Sequence, residues 1–306
     1  MQTWAVEILY KTELILGEGP HWHAGWQRFL YVDIEGRKVG CIDPVTKIVE
    51  ERNVDKRVGT VVLATNGNLI VALQGSITTL NFDTDELEEF IKIETEKPAN
   101  RYNECKCDAA GRLWIGTMHV EAKLHEGALY CYDGSLQKKL KNISVYNGIC
   151  WSKENTVMYY IDSFDYNIKA YHFELTTGNI CNEPIVVKIN EPGFVPDGMT
   201  VDEEGMLWVA IWGAGAVHRY NPLNGNLIGK IIVAAPNVTS CAFGGTDMQQ
   251  LLITTARVGL SEAQLQQYPL SGSLFCANTN EKGLPINYFS ATPNSNINNK
   301  KLITHK

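Results

Sequence analysis

Gly111-Arg112-Leu113-Trp114-Ile115-Gly116 and Gly205-Met206-Leu207-Trp208-Val209-Ala210 are two copies of one short strand. Each opens on a glycine turn and continues with the aliphatic and aromatic residues that suit a pleated, buried surface. The same strand type recurs as Arg28-Phe29-Leu30-Tyr31-Val32-Asp33, Gly67-Asn68-Leu69-Ile70-Val71-Ala72, Val157-Met158-Tyr159-Tyr160-Ile161-Asp162 and Gln250-Leu251-Leu252-Ile253-Thr254. The third-position anchors Leu30, Leu69, Leu113, Met158, Leu207 and Leu251 are separated by 39, 44, 45, 49 and 44 residues. Each anchor has a strand upstream, such as Cys105 to Asp108, and another downstream, such as Ala128 to Tyr132. Helical periodicity is nearly absent. Only Leu260 to Gln267 and Asp85 to Ile91 read as brief helical or irregular turns. Several strands per repeat, at a period of roughly 40 to 50 residues, predict a β-propeller. Six periods predict an all-β, six-bladed, single-domain protein over residues 1–291, followed by a polar, disordered tail over 292–306.

The repeat also locates a candidate site, because the innermost strands of a propeller line one central channel. Asn103 lies ten residues before its anchor, Asn147 eleven, Asp197 ten and Glu18 twelve. Four blades therefore bring an oxygen-bearing side chain to a similar height. The local sequences Gly17-Glu18-Gly19-Pro20, Tyr146-Asn147-Gly148 and Pro196-Asp197-Gly198 read as turns at strand starts. Glu18, Asn147 and Asp197 supply two carboxylates and one amide oxygen, a hard donor set suited to Ca²⁺, Mg²⁺ or Mn²⁺. Three protein ligands would leave positions for water and substrate.

Composition narrows the partners. The 306 residues are 44% hydrophobic and carry a net charge of -7, from 34 acidic and 27 basic residues. A nucleic-acid partner is excluded, since such affinity rests on clustered Lys and Arg. No apolar stretch is long enough for a membrane-spanning helix, and the start lacks the basic and apolar pattern of a secretory signal. The eight cysteines form no Cys-x-x-Cys pair, so they are read as reduced and mostly buried, in a cytoplasmic protein. In Cys105-Lys106-Cys107 the two thiols are read as facing opposite ways. His21 is read as packing beside Trp22, Trp212 as a core residue, and His119 as lying near the channel mouth.

At these residues the sequence resembles the regucalcin/gluconolactonase (senescence-marker-protein-like) family of six-bladed propellers. The shared motifs run from Gly17-Glu18-Gly19-Pro20-His21-Trp22 through Asn100-Arg101-Tyr102-Asn103, Tyr146-Asn147-Gly148 and Pro196-Asp197-Gly198-Met199 to Thr254-Thr255-Ala256-Arg257. The resemblance implies one divalent ion held by Glu18, Asn147 and Asp197, with Ca²⁺ first and Zn²⁺, Mg²⁺, Mn²⁺ or Fe²⁺ as alternatives. It also implies substrate contacts from Arg101, Asn103 and Glu121. The chain departs from the family's Asn-Asp-Gly-Lys at Asn103-Glu104-Cys105-Lys106, beside the channel.

The expected activity is hydrolysis of a sugar lactone, with the metal polarising the carbonyl and Asp197 as general base. The expected partner is a small-molecule lactone, acted on by a monomer or weak homo-oligomer. No Gly-x-Ser-x-Gly elbow occurs, so serine catalysis is not expected. Two alternatives use the same cage: hydrolysis of another ester or a phosphotriester, and a non-enzymatic, calcium-binding regulatory propeller.

Overall fold

A computed structural model describes residues 1–290 and contains six antiparallel sheets, one per repeat. The tail 292–306 and the last residue of the expected 1–291 domain lie outside the described residues. Blade one consists of Gly17–His23, Arg28–Asp33, Lys38–Ile42 and Val49–Asn53. Blade two runs from Val58–Leu63 to Leu87–Ile91, and blade three from Asn100–Cys107 to Leu136–Ile143. Blades four, five and six begin with Tyr146–Trp151, Val195–Val201 and Val238–Gly244. The N-terminus closes the ring. Glu7–Tyr10 pairs with Leu274–Asn278 as the outer strand of blade six, and Gln2–Trp4 adds in parallel to the edge of blade five.

Every anchor of the repeat is buried, with Leu30, Leu113, Met158, Leu207 and Leu251 fully so. The core forms six apolar clusters, each where two neighbouring blades pack face to face, and the anchors fall in five of them. The Gly-x-Leu-Trp repeats owe their likeness to a shared turn. Trp114 Nε1 donates to Asp108 Oδ2 at 2.8 Å, and Trp208 Nε1 donates to Asp202 Oδ2 at 2.9 Å. Both aspartates are wholly buried and also accept from an arginine, Arg112 and Arg219 respectively.

Three expectations require correction. Residues 85–91 are no helical turn: Leu87–Ile91 is the outer strand of blade two, polar because its side chains face solvent. Cys105 and Cys107 share one face, as the two-residue period of a strand demands, and both pack in the same cluster. Asn147 and Asp197 do not lie in turns before their strands. They lie inside them, where the pairing register slips in every blade: between Glu18 and His21, Val58 and Val61, Tyr102 and Cys105, Tyr146 and Ile149, Pro196 and Met199, Val238 and Ser240. These are β-bulges, and the glycine and proline signals mark them rather than turns. All eight cysteines are free, and six are buried. The helix expected near 260–267 is present as Glu262–Gln267, with a Ser261 capping box.

At the bulges the inner strands approach backbone to backbone. A Cβ on Gly59 would lie 2.4 Å from the Tyr102 carbonyl oxygen and 2.6 Å from that of Asn103. Gly59→Ala is therefore expected to cost about 2–3 kcal/mol, because rigid backbone must move. Gly67→Ala, at a left-handed turn (φ +86°) with open space around it, should cost only about 1 kcal/mol. Urea unfolding of both variants checks the ranking; equal costs would mean that the ring of bulges is not tightly packed.

Candidate metal centre

Chain direction places Glu18, Asn103, Asn147 and Asp197 near the start of the inner strands, at what we call the upper end of the channel. Two aspartates fix the entries to their strands. Asp33 ends the second strand of blade one and accepts from Ile15 N and Leu16 N, both at 2.9 Å. Asp162, its counterpart in blade four, accepts from Ser144 N and Val145 N. The repeated Tyr-x-Asp endings thus hold the segments leading to Glu18 and Asn147.

A chain of hydrogen bonds links blades three, four and five across the channel mouth. Arg101 Nη1 donates to Asn103 Oδ1 at 2.6 Å. Asn103 Nδ2 donates to Tyr146 O at 2.6 Å and to Asn147 Oδ1 at 3.0 Å. Asn147 Nδ2 donates to Ser163 Oγ at 2.8 Å, and Ser163 Oγ donates to Pro196 O at 2.6 Å. Ser163 spends its only proton on Pro196, so it must accept from Asn147. That fixes the Asn147 amide with its oxygen on the side of Asn103.

The carboxylates are the unbalanced part. Glu18 and Asp197 are buried, and Asp197 Oδ1 has no hydrogen-bond partner. Burial raises the Asp197 pKa well above its ordinary value, with Glu18 and then Glu104 adding to the rise. Burial likewise pushes Glu18 up to about 8, helped by Glu104 and opposed by the Gly19 amide and Arg101. An orphaned carboxylate oxygen, a second buried carboxylate and an oriented amide oxygen fit a hard divalent cation, whose charge would reverse both shifts.

The other expected residues divide. Arg101 and Asn103 are buried in the network, with Arg101 electrostatically coupled to Glu18 and Asp197. Glu121 is not brought to them: its carboxylate is 69% exposed and paired with Lys123 at 3.1 Å. His119 Nδ1 accepts from Glu121 N in the same loop. Trp212 is half-buried at a strand end rather than fully in the core. His21 is buried as expected, but it lines a cavity of about 440 Å³ at the lower end of the channel, together with Lys106 and Cys150.

Sequence reasoning missed the pair directly beneath the carboxylates. Glu104 binds Lys106 at 2.8 Å and accepts from Ile149 N, while Lys106 Nζ donates to Met199 O at 2.5 Å. The signal was available. Glu104 and Lys106 are alternate residues of a strand whose other face is Cys105 and Cys107, so both must enter the channel.

In metal-free protein the raised carboxylate pKa values have a definite sign. A carboxyl whose folded pKa exceeds its unfolded value stabilises fully below the unfolded pKa, and that stability is lost as pH rises through the folded pKa. For Glu18 this window runs from its ordinary value of 4.5 to about 8, and Asp197 acts in the same direction. The buried histidines His21 and His218, held down to about 3 and about 4, act oppositely below their ordinary 6.5. Chelated wild type should therefore lose several degrees of Tm relative to Glu18→Gln/Asp197→Asn between pH 5 and 8. Parallel Tm profiles would mean that these carboxylates are not strained without a cation.

The site can now be compared with known proteins. The SMP-30/gluconolactonase/LRE-like region matches residues 16–257. Regucalcin from Oryctolagus cuniculus is 32% identical over 293 residues, covering 93% of this chain and 98% of its own. YvrE of Bacillus subtilis, provisionally named a sugar lactone lactonase, is 35% identical and covers 87% of this chain and 92% of its own. The structure of a calcium-binding protein, regucalcin, from Agrobacterium tumefaciens superposes with a TM-score of 0.90 at 25% identity, covering 94% of this chain and 99% of its own. The match in family model, in sequence along nearly the whole length and in six-bladed fold leads to one assignment: the chain belongs to the SMP-30/gluconolactonase/LRE-like family.

Proposed function

We propose that the protein is a divalent-metal-dependent sugar lactonase that opens the lactone to its aldonic acid. The observation carrying this reading is the orphaned Asp197 Oδ1, buried with Glu18 and beside an Asn147 amide whose oxygen is fixed in place. A divalent ion held by Glu18, Asn147 and Asp197, with Ca²⁺ the first candidate, supplies Lewis-acid polarisation of the lactone carbonyl. The names of YvrE and of the family model supply the substrate class.

The remaining work falls to the chain. Asp197 takes the proton of the attacking water as the new C–O bond forms, then delivers it to the ring oxygen as the old C–O bond breaks. Arg101 uses Nη1 on Asn103 and Tyr102 O, leaving its other N–H groups for substrate oxygens. Asn103 has both amide protons engaged, so it acts by orienting Arg101 and Asn147. Glu121 stands outside this constellation. Every residue invoked comes from one copy, so a monomer suffices. Eight free cysteines favour a reducing, cytosolic setting.

A panel of sugar lactones, assayed by acid release after chelation and re-addition of Ca²⁺, Mg²⁺, Mn²⁺, Zn²⁺ or Fe²⁺, tests the proposal. Asp197→Ala should lower turnover by at least about 10³-fold while the far-UV spectrum is kept; near-normal turnover would sink its role as base. Metal binding without hydrolysis of any lactone would instead support a calcium-binding protein, the description carried by the Agrobacterium structure. Ser163→Ala frees the Asn147 amide to rotate, and should weaken metal affinity about tenfold while leaving the rate at saturating metal nearly intact. An unchanged affinity would show that Ser163 does not orient the ligand.

A further inference from the structure

The upper face carries a groove that neither the metal nor a plain sugar lactone requires. It measures about 490 Å³, within the range of small-molecule sites. It is built from the upper loops of blades one to three and from the start of the blade-three inner strand. Arg101 forms one wall, and its Nη1 donates to Asn103 Oδ1, whose amide in turn donates to Asn147 Oδ1. The groove therefore adjoins the candidate metal centre through that side chain.

Its charge runs against that of the protein. The chain carries -7, yet the groove is lined by Arg37, Lys56, Arg57, Lys97 and Arg101 against only Asp55 and Glu94. Two of these cations are neutralised: Arg57 by Glu35 at 2.8 Å, and Lys97 by Glu126 at 3.2 Å. Glu94 is occupied by Asn100 Nδ2 and the Tyr130 hydroxyl. Among the described residues, Arg37 donates only to the backbone oxygen of Asp55, Arg101 only to neutral oxygens, and Lys56 to no acceptor. Among the described residues, no carboxylate lies within ion-pair distance of Arg37, Lys56 or Arg101. Three unpaired cations against the carboxylates of Asp55 and Glu94 leave the concavity a net positive charge at the rim of a negative protein.

Resting on the lactonase reading, we propose that this groove is an anion subsite, and that the preferred substrate is a sugar lactone bearing a carboxylate or phosphate away from its reacting carbonyl. Arg101 holds the ring at the shared wall. Arg37 and Lys56 take the anionic group, giving charge-assisted hydrogen bonds that a plain aldonolactone cannot make.

The test separates this proposal from the reaction itself. Calorimetry on the intact, Ca²⁺-saturated chain compares a plain aldonate with its terminally phosphorylated and terminally carboxylated forms, none of which can be hydrolysed. At least one charged form should bind about tenfold more tightly or better. Whichever does so identifies the anion. Arg37→Gln/Lys56→Gln should remove that advantage and leave the plain aldonate unchanged, and KM for the matching lactone should rise with kcat preserved. Charged forms that bind no better than the plain aldonate would overturn the subsite, as would a variant that weakens all three equally. Hydrolysis of a plain lactone by wild type is scored separately. Its absence would remove the lactonase reading while the binding comparison still decides the groove.

Discussion

The structure turns on the close approach of six inner strands at one level of the channel. Each carries an extra residue there, and the extra residue does two things. It bends the strand into its neighbour, so that Gly148 meets the Asp197 carbonyl and Gly198 meets Ser240 with no room for a Cβ. It also changes which side chains face inward, so that Glu18, Asn103, Asn147 and Asp197 come from the bulges. Site and scaffold are therefore one feature. The ring that leaves no slack between blades also fixes the spacing of these side-chain oxygens.

That spacing carries an electrostatic load. Glu18, Asp197 and Glu104 lie within reach of one another in a buried volume, and only Glu104 has a direct ion-pair partner, Lys106. Burial works against the Lys106 charge, but Glu104, together with Cys150 and Cys241, more than offsets it and the net shift is upward. Lys106 also lines the lower cavity, so the pair forms a charged floor between that cavity and the carboxylates above. With one charge pair closed beneath them, Glu18 and Asp197 have no direct ion-pair partner among the described residues. The departure at Glu104-Cys105 thus makes structural sense: Cys105 packs between blades, and Glu104 reaches Lys106.

Much of this was legible in the residues. The recurring anchors mark the second strand of each blade because that strand is buried on both faces, and full burial leaves an apolar record. The offsets to Glu18, Asn103, Asn147 and Asp197 were readable because their four bulges sit at one level. The outermost strands were harder to see. Leu87–Ile91 and Leu136–Ile143 face water on one side and carry Glu and Lys, so they look like loops. The closure by Glu7–Tyr10 left no local mark, since its partner lies more than 260 residues away. Bulges were read as turns because both use glycine, and only the pairing register tells them apart.

The two ends of the channel also differ. Residues 279–290 cross the lower face and are tied down blade by blade. Gly283 N donates to Met248 O, Asn287 Nδ2 to Cys107 O, and Phe289 N to Leu63 O, with Phe289 seated in the core between blades two and three. Among the described residues no comparable segment crosses the upper face, where the loops of blades one to three hold Arg37, Lys56 and Arg57. The lower end is thus covered by main chain and floored by a salt bridge, whereas the upper end is lined by loop side chains. In a closed ring whose blades cannot shift, specificity can change only where loops are free to vary. Here those loops surround the end of the channel that holds Asp197.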